Sequence, residues 1–281
     1  MSGNDMTARG IGGEVPLYPG ERIDDLQHEG FRIIQSNDAF RFGTDSVLLA
    51  DFAKPRTRDV CVDLGCGTGA ISLIMLMHNP SVKVTGVEIQ PEVADMAARS
   101  AVLNGVSDRF DVICSDMRTV HQQLGRGKYS LAVCNPPYFK AGGALLSTEE
   151  KVRIARHEGD IDPDDIAASA ARLIKNGGRF AVIYPSPRAL EMMRAMENNG
   201  IAPKRVRTIH GVANRAPKHI LIEGIKGASG GLHWLEPLVL RDENGEPIAE
   251  WHRIYDKAGE ILNENTGKQP QNLYDWRSQF L

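Results

Sequence analysis

A glycine-rich turn over residues 63–69 (DLGCGTG) constrains the fold of this chain more than any other feature. The apolar run just before it predicts a buried strand, and the apolar stretch just after it predicts a helix. Strands and helices keep alternating as far as about residue 200, which predicts a doubly wound, mainly parallel α/β sheet. Three glycines let the backbone turn sharply and let a ligand approach the helix N-terminus: Gly65, Gly67 and Gly69.

The chain divides into one large domain with an addition at each end. Residues 1–23 are rich in glycine and polar side chains, which predicts a mobile N-terminal tail. Residues 24–228 predict the α/β domain, which closes with a hairpin formed by strands at 206–210 and 219–225. That hairpin requires one antiparallel strand at the end of the sheet. Residues 229–281 predict an extension whose role the sequence does not indicate.

Composition and charge exclude several classes of protein. The net charge is −3 over 281 residues, so any binding of nucleic acid requires a local basic face. The sequence shows no secretory signal and no apolar run of the ~18 residues that a membrane span needs, so we expect a cytoplasmic protein. No C-x-x-C pair is present, so we expect no metal and four buried free thiols: Cys61, Cys66, Cys114 and Cys134.

An acidic residue lies at the end of each of the first three strands of the series. Asp63 precedes the glycine turn, Glu88 ends the second strand and Asp116 follows the third. Residues 65–70 (GCGTGA) also fit the G-x-G-x-x-A pattern of dinucleotide-binding proteins, so NAD is an alternative ligand. However, a carboxylate at Asp63 repels a pyrophosphate and attracts an ammonium group. Glu88 can accept hydrogen bonds from both ribose hydroxyls, and Asp116 can accept one from an adenine amine. This set of carboxylates favours S-adenosylmethionine over NAD.

The segment Asn135-Pro136-Pro137-Tyr138 follows the apolar run 129–134, where another buried strand ends. An exocyclic amine on an aromatic ring is a poor nucleophile, because its lone pair is delocalised into the ring. Hydrogen-bond acceptors placed around the two amine hydrogens free that lone pair. The Asn135 side-chain oxygen and the rigidly held Pro136 carbonyl can be these two acceptors. Tyr138 can stack on the ring face. We therefore expect Asn135, Pro136 and Tyr138 to support methyl transfer, with Asn135 also touching the cofactor.

These motifs, in this order, resemble those of class I S-adenosylmethionine-dependent methyltransferases with an NPPY signature. Residues 42–49 (FGTDSVLL) and 155–158 (ARHE) resemble, more narrowly, the bacterial family that makes N6-methyladenosine beside the anticodon of valine tRNA. The resemblance covers residues 24–225. It implies a seven-stranded sheet whose last strand is antiparallel, in agreement with the predicted hairpin. It also implies that Thr44 and Asp45, at the expected start of a helix, contact the cofactor.

A block of cations between residues 200 and 226 is the predicted RNA-binding face. The block contains one acid, Glu223, and six cations: Lys204, Arg205, Arg207, Arg215, Lys218 and Lys226. Such an excess of positive charge suits contacts to phosphates. Arg153 and Arg156 can extend this face around the segment at residues 135–138, which we call the clamp. His157 and Glu158 are assigned no chemistry. Together with Tyr138, the residues Arg156, Arg215 and Lys218 are the candidate substrate contacts, and tRNA is the expected partner.

Other functions remain open from the residues themselves. A planar protein glutamine amide or a ribosomal RNA guanine would fit the same clamp. A protein that binds RNA and holds S-adenosylmethionine only as a ligand is the non-enzymatic alternative, and the complete NPPY segment argues against it. The sequence indicates no oligomeric state.

Overall fold

The structure is a computed structural model, and it describes residues 6–26, 30–36, 43–137 and 161–255. Strands in these ranges are β1 (Met6–Gly10), β2 (Gly13–Leu17), β3 (Glu21–Asp25), β4 (Arg32–Ser36), β5 (Val60–Leu64), β6 (Lys83–Glu88), β7 (Phe110–Cys114), β8 (Tyr129–Cys134), β9 (Ile174–Pro185), β10 (Ile201–Val212), β11 (His219–Lys226), β12 (His233–Trp234) and β13 (Leu238–Arg241). Helices are α1 (Thr44–Ala53), α2 (Ala70–His78), α3 (Pro91–Leu103), α4 (His121–Leu124), α5 (Pro163–Leu173), α6 (Ala189–Asn198) and α7 (Ala249–Tyr255).

The central sheet contains nine strands in the order β12-β10-β11-β9-β8-β5-β6-β7, with β13 also pairing with β10. Strands β5 to β9 run parallel to one another, whereas β11 is antiparallel to both of its neighbours. The predicted doubly wound sheet with its reversed last strand is therefore confirmed. Seven of the nine strands form the expected core, and β12 and β13 add a broken edge strand parallel to β10.

Apolar clusters fill both sides of this sheet. Helices α1 and α2 cover one face, where Leu48 and Ile74 pack with Leu131 of β8. Helices α5 and α6 cover the other face, where Ile166 packs with Phe180 of β9. Parallel strands buried on both faces need the continuous apolar runs that the sequence contains. The carboxyl ends of these strands are thereby fixed at one edge of the sheet.

The N-terminal region differs from the expected mobile tail. β1 pairs with β2, and Ala8 and Val15 from this hairpin are buried against Met96 and Leu103 of α3. A second hairpin, β3–β4, is tied to the same helix by a bidentate ion pair between Glu21 and Arg99, with oxygen-to-nitrogen distances of 2.6 and 2.7 Å. The prediction was wrong for these residues because short strands with few apolar side chains are hidden by a glycine-rich composition.

The first part of the C-terminal extension packs against the sheet edge. Arg207 of β10 makes two hydrogen bonds to Glu250 of α7, at 2.9 and 2.7 Å. Arg253 of the same helix pairs with Asp51 of α1 at 3.1 Å. Residues 229–255 therefore extend the α/β layer.

Three of the four cysteines, Cys61, Cys66 and Cys134, are buried free thiols as predicted. Cys114 is also free but is exposed, because it ends β7, the outermost strand of the sheet. Within the described ranges, no three His, Cys, Asp or Glu side chains are grouped to hold a metal ion. Nor is any helix in those ranges long and apolar enough to cross a lipid bilayer.

Candidate active site

The predicted ligand residues lie where neighbouring parallel strands end. Leu64 of β5 is in register with Cys134 of β8 on one side and with Val87 of β6 on the other. The glycine turn and the Asn135 segment therefore leave adjacent strands at the same level, about 4.8 Å apart. Ligands of open α/β sheets bind at this carboxyl edge. Two stretches that lie 70 residues apart in the sequence thus meet at one site.

The glycine turn is held by hydrogen bonds to β6. The amides of Gly65 and Cys66 both donate to the Val87 carbonyl, at 2.8 and 3.0 Å. Gly65, Gly67 and Gly69 have φ angles of 71°, 55° and 93°, a left-handed conformation that disfavours residues with a side chain. A β-carbon at position 69 would also lie 3.0 Å from the Phe110 ring. The three glycines are therefore required by the backbone as well as by ligand approach.

Asp63 is fully buried at the end of β5, on the face covered by α2. Its Oδ2 accepts a hydrogen bond from the Ser72 hydroxyl at 2.8 Å, whereas Oδ1 has no hydrogen-bond partner among the described residues. Burial raises the pKa of the Asp63 carboxyl to about 7, and the Glu88 carboxylate adds to this effect while the Ser72 hydrogen bond opposes it. A buried acceptor without a partner is costly, so this oxygen suits a cationic ligand group.

Glu88 is oriented by two backbone amides. Its Oε2 accepts from Gly67 at 3.0 Å and its Oε1 from Gln90 at 2.9 Å. The side chain is only 6% exposed, so these bonds fix both oxygens beside the glycine turn. Each carboxylate oxygen still has a second lone pair. The neighbouring Ile89 side chain is 40% exposed, an apolar surface next to the carboxylate that the sequence analysis missed.

Asp116 lies two residues beyond β7 and forms an ion pair with Arg118. Its Oδ2 is 2.9 Å from the Arg118 Nε, and its Oδ1 accepts from the Arg118 amide at 2.8 Å. The Arg118 guanidinium lowers the pKa of the Asp116 carboxyl, so this acid is ionised at neutral pH. Buried Met117, between the two, lies close to the turn, because a β-carbon on Gly65 would be 3.5 Å from its methyl group. The sequence analysis did not include Met117, because no pattern in the sequence places it next to the glycine turn.

The clamp segment is described only in part. Asn135 is partly buried, Pro136 is buried and Pro137 is exposed. Tyr138 lies outside the described residues, as do Arg153, Arg156, His157 and Glu158. Val133 of β8 is in register with Asp63, and Asn135 follows two positions later, directly after the last residue of the strand.

Helix α1 starts beside the end of β9 and the start of β11. The N-cap of α1 is Gly43, and no side chain caps the helix; Thr44 is its first residue, as the sequence led us to expect. Asp45 lies in the first turn, 3.8 Å from the Nδ1 of His219, the first residue of β11. Burial raises the pKa of the Asp45 carboxyl, and His219 opposes this shift. His219 was not among the predicted site residues, because its contact with Asp45 spans most of the chain.

The predicted cationic face is not one surface. Arg205 and Arg207 pair with Glu223 and Glu250, and Lys226 donates to the carbonyls of Ala171 and Ile174. Lys204 donates to the carbonyls of Ser229 and Gly230. These four cations stabilise the fold, which corrects the expectation that the whole block binds RNA. The remaining two, Arg215 and Lys218, are exposed in the β10–β11 loop at the carboxyl edge.

Comparisons with known proteins agree with this architecture. The model of the methyltransferase small domain family matches residues 34–199. A tRNA1(Val) (adenine(37)-N6)-methyltransferase of Porphyromonas gingivalis is 30% identical over 206 residues, covering 71% of this chain and 80% of that protein. A protein of the same description from a Flavobacteriaceae bacterium is 29% identical over 193 residues, covering 69% and 80%.

Solved structures share the fold at lower identity. A predicted O-methyltransferase from Agrobacterium tumefaciens superimposes with a TM-score of 0.63 at 20% identity, covering 75% of this chain and 95% of that one. Pyrococcus horikoshii TYW2, solved with MeSAdo, gives a TM-score of 0.52 at 16% identity, covering 76% and 75%.

The sheet with one reversed strand has the class I methyltransferase fold, and the family match makes this chain an S-adenosylmethionine-dependent methyltransferase. The chain belongs to the methyltransferase small domain family. This confirms the predicted class of enzyme and cofactor, and it leaves the dinucleotide alternative without support.

Proposed function

We propose that this enzyme methylates the N6 amine of an adenine in tRNA, and that the adenine is flipped out of its stack into the segment at residues 135–138. The curated relatives named above are described as acting on adenine 37 of tRNA1(Val), and we propose the same target here. This substrate places the enzyme in the cytoplasm, where we expect it to act on tRNA without a membrane or a metal.

The residues at the carboxyl edge fit the cofactor. Bound S-adenosylmethionine would supply an electrophilic methyl group on a sulfonium. Oδ1 of Asp63 would accept a hydrogen bond from the ammonium group, which gives this buried oxygen the partner it lacks within the described part of the chain. The ribose hydroxyls would be held by Glu88 and the adenine amine by Asp116. The three turn glycines allow close approach, and Thr44 and Asp45 would border the methionine end.

The clamp residues would activate and orient the target nitrogen. The Asn135 side-chain oxygen and the Pro136 carbonyl would accept hydrogen bonds from the two amine hydrogens, which localises the nitrogen lone pair. That lone pair forms the new N–C bond as the S–C bond breaks, and one amine proton is lost to solvent. Tyr138 would stack on the base, and Arg156, Arg215 and Lys218 would contact the RNA. Positioning and electrostatics account for such catalysis, so no strong base is needed.

The observation that carries this proposal is the register of β5 and β8. Because Leu64 and Cys134 are partners, the cofactor turn and the clamp segment begin side by side on the same edge of the sheet. A target amine held at Asn135 is then next to the cradle that holds the methyl donor. This adjacency is what an in-line transfer over about 3–3.5 Å requires.

The direct test is mass spectrometry of nucleosides from unmodified tRNA incubated with the enzyme and S-adenosylmethionine. We expect N6-methyladenosine, confined to the valine tRNA and absent when adenine 37 is changed to guanine. Label from a radioactive methyl donor that enters protein glutamine or ribosomal RNA, but not tRNA, would refute the proposal.

A further inference from the structure

The two exposed cations of the β10–β11 loop have a third cationic neighbour just after β9. Arg188 ends the short 3-10 helix Ser186–Arg188, which follows β9 directly. The Ser186 amide donates to the Lys218 carbonyl at 3.0 Å, and its hydroxyl donates to the Pro217 carbonyl. We name Arg188, Arg215 and Lys218 the cationic rim. The sequence gives no sign that Arg188 belongs with the other two.

The loop that carries two rim residues is held rigidly. The Lys218 amide donates to the Ile209 carbonyl at 3.0 Å, and the Arg215 amide donates to the Val212 carbonyl at 3.1 Å. The Arg215 carbonyl is also 2.7 Å from the Nδ1 of His210. These contacts engage the backbone and leave the two cationic side chains at the surface. A preorganised loop loses little entropy when its side chains bind a ligand.

Arg188 connects this loop to the clamp. Its guanidinium lies over the ring of Tyr184, with 5.4 Å between the guanidinium carbon and the ring centroid. Cys134, the last residue of β8, is in register with Val182, so Tyr184 lies two residues beyond the point where the clamp segment leaves the neighbouring strand. The rim therefore begins one strand away from the proposed target base.

The ion pair of Arg188 is easily exchanged. Its partner Glu191 is 54% exposed and Arg188 itself is 41% exposed, and such surface pairs contribute little to stability. A phosphate can replace the Glu191 carboxylate while the guanidinium stays over the Tyr184 ring. Arginine binds phosphate through two parallel N–H groups, which suits a fixed position along a backbone.

We propose that the cationic rim binds the phosphodiester backbone of the RNA that flanks the flipped adenine, with Arg188 the phosphate contact nearest the clamp. This inference rests on the proposed function. Phosphate contacts position a nucleic acid without reading its bases. The rim therefore provides affinity and register, whereas the clamp selects the amine.

The test compares three charge reversals, Arg188→Glu, Arg215→Glu and Lys218→Glu, with Lys83→Glu. Lys83 is exposed at the start of β6, on the opposite edge of the sheet, so it matches the change in net charge. We measure binding of valine tRNA in the presence of S-adenosylhomocysteine over a range of salt concentrations, and methyl transfer at saturating S-adenosylmethionine.

Each rim variant should bind tRNA about tenfold more weakly, with a raised KM for tRNA and an unchanged affinity for S-adenosylhomocysteine. The slope of log K against log salt should fall by about one for each phosphate that the variant no longer binds. The Lys83 variant should match the wild type in both measurements. Rim variants that keep the wild-type tRNA affinity and salt slope would overturn the inference.

The two proposals fail in different ways. If the wild type binds tRNA but transfers no methyl group, the proposed function fails and the salt slopes still decide the role of the rim. If the wild type binds no RNA at all, the rim proposal is refuted. Circular dichroism of each variant checks that it is folded, and unchanged cofactor binding confirms that the site is intact.

Discussion

Replacing Asp63 by asparagine, and titrating the wild type over pH, tests the role of the buried carboxylate. Burial raises the pKa of Asp63 from an ordinary value of 3.8 to about 7. At a pKa of about 7, the carboxyl is about 0.9 protonated at pH 6 and about 0.1 protonated at pH 8. A cationic ligand group binds the ionised form. We therefore expect ligand binding to release about 0.9 proton at pH 6 and to weaken about tenfold from pH 8 to pH 6.

Isothermal titration calorimetry with S-adenosylhomocysteine measures both effects, since this ligand keeps the ammonium group. Titrations in two buffers with different ionisation enthalpies give the number of protons released. Asp63→Asn should bind more weakly at pH 8 and release no proton near pH 6. The matched control is Asp116→Asn, because Arg118 lowers the pKa of Asp116 and that acid does not titrate in this range. A wild type whose binding enthalpy at pH 6 is the same in both buffers would refute the reasoning.

The same carboxyl should affect the stability of the ligand-free protein in the opposite sense. Its pKa is higher in the folded than in the unfolded state, so the folded state binds more protons and stability falls as pH rises from 3.8 toward about 7. At 1.36 kcal/mol per pKa unit, ionising Asp63 costs about 4 kcal/mol at pH 8. Asp63→Asn should recover part of this in urea unfolding at pH 8 and little at pH 4. Equal effects at both pH values would contradict the assignment.

Asn135→Ala should keep the affinity for S-adenosylhomocysteine within a few-fold and lower the rate of methyl transfer at least a hundredfold in single-turnover assays, since it removes an acceptor aimed at the amine. Undiminished turnover would contradict the clamp mechanism. Glu223→Gln should reduce the free energy of unfolding by about 3 kcal/mol, because two arginines lose a buried charge partner, whereas exposed Glu197→Gln should change it by less than about 0.5 kcal/mol. Gly69→Ala should destabilise the fold more than Gly127→Ala, measured by urea unfolding; both have a positive φ, but only position 69 lacks room for a methyl group. Equal losses at the two glycines would show that backbone strain, not packing, sets the requirement.

The centre of the fold was predictable because its signals are local. The glycine turn, the acid at the end of β6 and the apolar runs of β5 and β8 each lie within a few residues, and strand alternation then places them at one edge. Pro203 hid the first part of β10, which continues across an irregularity between Pro203 and Arg205. Proline in a strand is accommodated at such bulges, so the pattern gave only the second half.

The role of the cations could not be predicted because it depends on long-range partners. Arg207 and Glu250 are 43 residues apart, and nothing near Arg207 indicates that its charge is used internally. From the sequence, Glu223 was only the single acid among the cations of residues 200–226. In the structure it is buried and pairs with Arg179 and Arg205. Arg205, a member of the predicted block, also donates to the Phe52 carbonyl of α1 at 2.9 Å. Part of the positive charge expected for RNA therefore holds a helix to the sheet.

The reversed direction of β11 has a consequence for how such enzymes can diversify. Since β11 runs against β9 and β10, the chain turns back at the catalytic side through a tight connection, residues 213–218, instead of crossing to the far side through a helix. Connections of this kind tolerate insertion and sequence change more readily than the strands they join. Evolution can therefore change the length or the charge of this hairpin loop to suit a different nucleic acid. The cofactor turn between β5 and β6 keeps its shape meanwhile, because β5 is three strands away from β11 in the sheet.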